Sequence, residues 1–256
     1  VVGTAVYGCF GIDTLCETAA LTFTISALLF GGALKQNASS ETMGDGATRT
    51  TRRNDFRELI RYLSQNLSLL VVFLIAAILN LALVGLTIGA PVIVAKHLGM
   101  QSSFVGIIEV AMGLGGLVGS GLVGIWPHRF SFKGICRYVA MICFGVVPII
   151  VTLLSGPDEL AFAALAAGSA WVMAWASIAS VEIVSFVQRS APKELCGKVL
   201  ALVYMTLSCA TPIGQLVYGL AYDRWTPAIV FAGMLAVLTL TTALFNRLKS
   251  RLWRMS

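Results

Sequence analysis

The chain has 256 residues, of which 57% are hydrophobic and only 12% charged, with a formal net charge of +6 and a mean hydropathy of +0.86. A water-soluble domain carries about 25% charged residues, and its core cannot bury apolar blocks as long as these, so lipid is the solvent the composition demands. The basic excess lies in short clusters between apolar blocks rather than along one face, which excludes a nucleic-acid surface and leaves the bilayer as the expected partner.

A helix needs about 20 mostly apolar residues to cross roughly 30 Å of hydrocarbon. In chain order, residues Val1–Phe10 read as the tail of one such helix. Seven complete blocks follow: Ile12–Leu34, Leu69–Ala95, Phe104–Trp126, Ile135–Leu154, Leu160–Val187, Val199–Ala221 and Pro227–Phe245. Helices are expected rather than barrel strands, because the blocks are apolar on all sides and twice the length of a barrel strand. The fold class is therefore an all-α polytopic membrane protein. Because the sequence opens inside a span, we expect further helices upstream.

The organisation follows from the connections. Residues 1–34 form the end of one helical group. Residues 35–66 form a linker, rich in Ser, Thr, Gly and Asn over Gln36–Asn54. Its last part, Asp55–Ser64, places Phe56, Leu59, Ile60 and Leu63 on one helical face, as in a short amphipathic helix on the membrane surface. Residues 67–246 hold six spans, and 247–256 form a tail. Basic and base-poor connections alternate along the chain. Sixteen of the eighteen Lys and Arg residues fall on one side, which by the positive-inside rule is cytoplasmic and carries the C-terminus. The cysteines form no CxxC pair or metal spacing, so no metal and no disulfide is expected. No Walker loop, HExxH or nucleophile elbow occurs, and neither an enzyme nor a cofactor is expected.

Polar residues inside spans are the functional candidates. Glu109 and Glu182 are carboxylates within apolar blocks, where an ionised group is costly and usually faces a cavity or a partner. Either is a candidate for ion coupling or substrate contact. The bland alternative for both is solvation near a helix end. Asn80 and Gln215 suit interhelical hydrogen bonds or a substrate cavity. Trp171 and Trp175 share a helix face and either line an apolar cavity or pack. Gly115-x-x-x-Gly119 and Ser120-x-x-x-Gly124 supply small faces for close helix approach.

Gly3-Thr4-Ala5-Val6-Tyr7-Gly8 matches Gly214-Gln215-Leu216-Val217-Tyr218-Gly219 at four positions. Chance or an internal repeat of the kind common in transporters explains it. Gly214 and Gly219 are helix-packing candidates.

The run Val2–Ile12, Asp55-Phe56-Arg57-Glu58, Ala191-Pro192-Lys193-Glu194-Leu195-Cys196-Gly197-Lys198-Val199, and Gly214–Gly219 followed by Tyr222-Asp223-Arg224 together resemble major facilitator carriers of the drug and macrolide efflux branch. The resemblance covers the whole chain. It implies twelve helices in two six-helix bundles, with this chain supplying the second bundle and the end of the first, in the inner membrane. It also implies proton-coupled efflux of a small amphipathic substrate by alternating access, with an N-terminal bundle as partner. The family's Gly-x-x-x-Asp-Arg loop corresponds to Gly124-Ile125-Trp126-Pro127-His128-Arg129, with His128 in place of the acid. Gly124, His128 and Arg129 are therefore the conformational-loop candidates. Export of a siderophore or another metabolite, or a half-carrier serving as a non-transporting subunit, are the alternatives.

Overall fold

The computed structural model describes Glu17, residues 20–26 and residues 66–252. The chain divides into two compact units, Val1–Ile60 and Arg61–Ser256. In the first unit, residues 20–26 are helical, with Leu21 and Phe23 exposed. The expected amphipathic helix over Asp55–Ser64 and the first copy of the Gly3–Gly8 match lie outside the described residues.

The second unit contains six long helices: α1 (Leu67–Val92), α2 (Ser102–Ile125), α3 (Ile135–Ser155), α4 (Asp158–Ser190), α5 (Lys193–Arg224) and α6 (Pro227–Leu252). No strand occurs among the described residues. All six are long and apolar enough to cross a membrane, with mean hydropathy from 1.5 to 2.9 over their most apolar stretches. Leu114, Leu117, Phe144, Leu154, Leu216 and Leu240 are each more than half exposed. Water would oppose such a surface, whereas hydrocarbon accepts it.

Helix ends follow local chemistry rather than hydropathy. Pro157 and Pro192, in extended conformation, stand just before α4 and α5, where a missing N–H costs nothing. Asp158 and Glu159 occupy the first turn of α4, where their charge complements the helix dipole. These signals make α4 and α5 longer than their apolar blocks. Helix α6 continues to Leu252, so the expected tail begins within a helix. Helix α1 contains Pro91 and widens into a π turn over Ile93–His97. Gly99, at φ +61, then reverses the chain, a conformation open to glycine at little cost.

The strongest packing partners are α2 with α4, α3 with α4, α1 with α5, α3 with α6 and α1 with α6. Exchanging the first three helices for the last three leaves this set of pairs unchanged. That is the signature of an inverted repeat within the bundle. The buried core includes Leu86, Ile93, Ile108, Tyr138, Ile149, Leu165 and Phe231.

Candidate functional site

Helices α1, α3, α4 and α5 line a partly open cavity of about 70 Å³, and two of its lining residues, Ser180 and Tyr204, are exposed. A single water fills about 10–15 Å³ on such a measure, so the space holds a ring-sized group. Its walls are aliphatic, from Ala76, Leu79, Ile142, Ala176, Ile183 and Val203. Three polar residues interrupt them: Asn80 on α1, Ser180 on α4 and Tyr204 on α5. No lining residue is charged.

Asn80 ties α1 to α5. Its Nδ2 donates to the Leu207 carbonyl at 2.9 Å and to Thr211 Oγ1 at 3.1 Å. The Thr211 hydroxyl in turn donates to the same carbonyl at 3.1 Å. The two helices run parallel and stay close beyond this point. A Cβ on Gly85 would meet the Tyr218 ring at 2.6 Å, and Gly89 lies under the Tyr222 hydroxyl. Tyr222, itself buried, donates to the Gly85 carbonyl at 3.0 Å. At the end of the seam Lys96 pairs with Asp223 at 3.2 Å in an exposed ion pair.

The α2–α4 seam is built differently. Gly115 lies against the backbone of Ala170 and Gly119 against that of Ala174, so a Cβ at either position would collide with a carbonyl. Nothing lies within 4 Å of a Cβ at Gly113, Gly121 or Gly124 among the described residues. Gly214 packs tightly on Leu81 and Val84, with a Cβ contact of 3.1 Å, whereas a Cβ at Gly219 would meet nothing within 4 Å among the described residues. Close helix approach therefore accounts for Gly115, Gly119 and Gly214 but not for Gly124 or Gly219.

Glu182 is buried, 4% exposed, near the end of α4. That corrects the reading of this residue as a solvated helix end. Its charged neighbour is Arg189, two turns on, at 3.7 Å, and the Arg189 side chain is exposed. The Glu182 Oε2 atom and the Ser169 hydroxyl are the two buried side-chain atoms without a hydrogen bond among the described residues. One turn beyond Glu182, Phe186 stacks on Phe132 at 4.3 Å, and Phe132 meets Phe245 edge-on at 6.3 Å.

Glu109 is exposed on α2 and makes no ion pair among the described residues. The register of Gly115 opposite Ala170 places it level with Ala164. At about 1.5 Å per residue, Glu182 lies roughly 27 Å further along the bundle. The structure does not bring the two acids together. Gln215 is also exposed and lines no part of the cavity.

Trp171 and Trp175 do not line the cavity. Trp171 Nε1 donates to the Met141 carbonyl at 2.9 Å, and Trp175 stacks on Tyr138 at 6.0 Å. The pair seals the α3–α4 contact, where Gly145 and Gly168 let the backbones meet. In the α2–α3 connection, Arg129 lies 5.8 Å over Trp126 and His128 is exposed. Tyr138 anchors this connection by accepting from Ser131 N at 2.9 Å and donating to Ser131 O at 3.0 Å.

The sequence reading missed the Gly85 and Gly89 face, the tyrosines above it, and Ser180 and Tyr204 in the cavity. The Gly85-x-x-x-Gly89 spacing was a usable signal, but the two cavity residues had none without their neighbours.

No group of three potential metal ligands occurs among the described residues. No curated protein matches the chain. A family described as transmembrane secretion effectors matches residues 2–256. Taken with the six apolar spans, that match shows that the chain belongs to this family of the major facilitator superfamily, a family of membrane transport.

Proposed function

We propose that the protein is a secondary active exporter of small amphipathic compounds, of the drug and macrolide type, working by alternating access. The observation that carries this reading is the cavity between α1, α3, α4 and α5, apolar on most of its wall and polar at three points. Small-molecule sites share that character. The cavity accepts one ring or branch of a larger ligand. A first helical bundle, supplied upstream or by a separate chain, would complete the site and move against this one.

Energy would come from a proton gradient. Glu182 is the residue best suited to carry the proton. It is a buried carboxylate whose Oε2 faces Arg189 at 3.7 Å and accepts no hydrogen bond among the described residues. Glu109 and Gln215, exposed on α2 and α5, would contribute where those helices meet other parts of the carrier. The inner membrane, with basic connections and the C-terminus in the cytoplasm, is the location this function requires.

The test is accumulation of a labelled macrolide in cells that lack their main efflux pumps and express the full carrier. Lower accumulation, restored by a protonophore and by Glu182→Gln, is the expected result. Unchanged accumulation with the protein present in the membrane would sink the reading and favour metabolite export or a non-transporting subunit.

A further inference from the structure

We infer that the cavity selects neutral lipophilic compounds that present a hydrogen-bond donor, with the Asn80 carbonyl oxygen as the selecting group. The inference rests on the cavity being the ligand site, as proposed above.

The orientation of the Asn80 amide is fixed by its partner. The Leu207 carbonyl only accepts, so the nitrogen must face it. Turning the amide over would set oxygen against oxygen. The Thr211 hydroxyl takes the second amide proton, and its own proton is committed to the Leu207 carbonyl. Both amide hydrogens are thus used within the α1–α5 seam. Asn80 lines the cavity, and its Oδ1 has no donor among the described residues. Ser180 and Tyr204, on the same cavity, make no hydrogen bond among the described residues either.

Three open polar groups on an aliphatic wall are a recognition pattern. The two hydroxyls adapt, since each donates or accepts. Asn80 Oδ1 accepts only, and it therefore sets the polarity of the ligand. No base lines the cavity, so a carboxylate or phosphate would lose its water without gaining a counter-charge. No acid lines it, so an ammonium faces the same loss. A hydroxyl or amide N–H on an apolar frame satisfies the wall and suffers neither penalty. Glu182 is not among the lining residues and does not change this balance.

The experiment measures equilibrium binding to the full carrier in detergent. The probes are four naphthylalkyl compounds of equal length, ending in hydroxyl, methyl ether, carboxylate or trimethylammonium. The hydroxyl compound is expected to bind about 3- to 10-fold more tightly than the ether, the worth of one hydrogen bond. Both charged compounds are expected to bind more weakly than the ether.

Asn80→Leu should abolish the preference for hydroxyl over ether. Tyr204→Phe, which leaves the α1–α5 link intact, should weaken both alike and keep their ratio. Equal binding of hydroxyl and ether by the unaltered carrier, or a charged compound matching the hydroxyl, would overturn the inference. So would a Tyr204→Phe carrier that loses the ratio.

Ala176→Phe separates the inference from its foundation, because it fills the cavity. Should every probe bind this variant as before, the cavity is not the ligand site and both readings fall. Binding lost in Ala176→Phe, with hydroxyl and ether equal in the unaltered carrier, removes only the inference. No binding by any probe at millimolar concentration overturns both.

Discussion

Two seams occupy equivalent places in the bundle, and they are made of different chemistry. The α2–α4 seam is largely backbone against backbone, Gly115 and Gly119 on Ala170 and Ala174, with the Ser177 hydroxyl 3.4 Å from a Cβ at Gly116. The α1–α5 seam sets glycines under tyrosine rings and ties the helices with Asn80, Thr211, Tyr222 and an end-on Lys96–Asp223 pair. In lipid, helix association rests on close packing and interhelical hydrogen bonds rather than on apolar burial. One seam relies on the first and the other adds the second. The difference also locates the cavity. The cavity lies beside the Asn80 end of the α1–α5 seam, lined by Asn80, Tyr204 and Leu207, and Gly115 and Gly119 are not on its wall.

The comparison breaks most readily at Gly119. Gly119→Val would drive a branched side chain into the Ala174 carbonyl. Overpacking costs typically 1–3 kcal/mol, and here no side chain can yield, so a loss of about 3 kcal/mol is expected in SDS unfolding of the micellar protein. A loss below about 1 kcal/mol would mean that the seam is not limited by backbone contact.

Gly113→Ala sharpens the point on the same helix. Nothing lies within 4 Å of a Cβ at Gly113 among the described residues, so the variant should gain up to about 0.8 kcal/mol from helix propensity. Destabilisation in the same unfolding assay would show an undescribed neighbour there.

On the other seam, Tyr222→Phe removes one interhelical hydrogen bond and keeps the ring. Such bonds average about 0.6 kcal/mol in membrane proteins, and a loss of that size is expected. Lys96→Met should cost least, below about 0.5 kcal/mol, because both partners are exposed. A Lys96→Met cost above that of Tyr222→Phe would reverse the assignment of the seam's strength to its buried end.

The spans were legible because a bilayer requires a minimum apolar length, and each block from Leu69 onward corresponds to one helix. The ends were less so. Hydropathy placed the start of α5 at Val199, yet Pro192 starts the helix at Lys193, because helices run on into water beyond the hydrocarbon. The small face at Gly115 and Gly119 could be read from its spacing, since only small side chains permit that approach. Gly219 had the same composition without the neighbour. Glu182 looked solvated by its distance from the helix end. Packing from α4's neighbours buries it, and no one-dimensional pattern carries that information. Ser180 and Tyr204 were silent for the same reason. A lone hydroxyl on an apolar helix gains meaning only when other helices bring further lining residues beside it.

The most direct measurement of the central claim, that this cavity holds the transported compound, is ligand protection of a thiol placed in it. In a carrier stripped of its native cysteines, Ser180→Cys would be alkylated by a small maleimide with and without the hydroxyl-terminated naphthylalkyl compound. Gln188→Cys, exposed on the same helix outside the cavity, would serve as the reference. The account predicts that the compound slows alkylation at position 180 at least about fivefold and leaves position 188 unchanged, a margin set by near-saturating occupancy. Equal rates at position 180 with and without a compound shown to bind the carrier would contradict it.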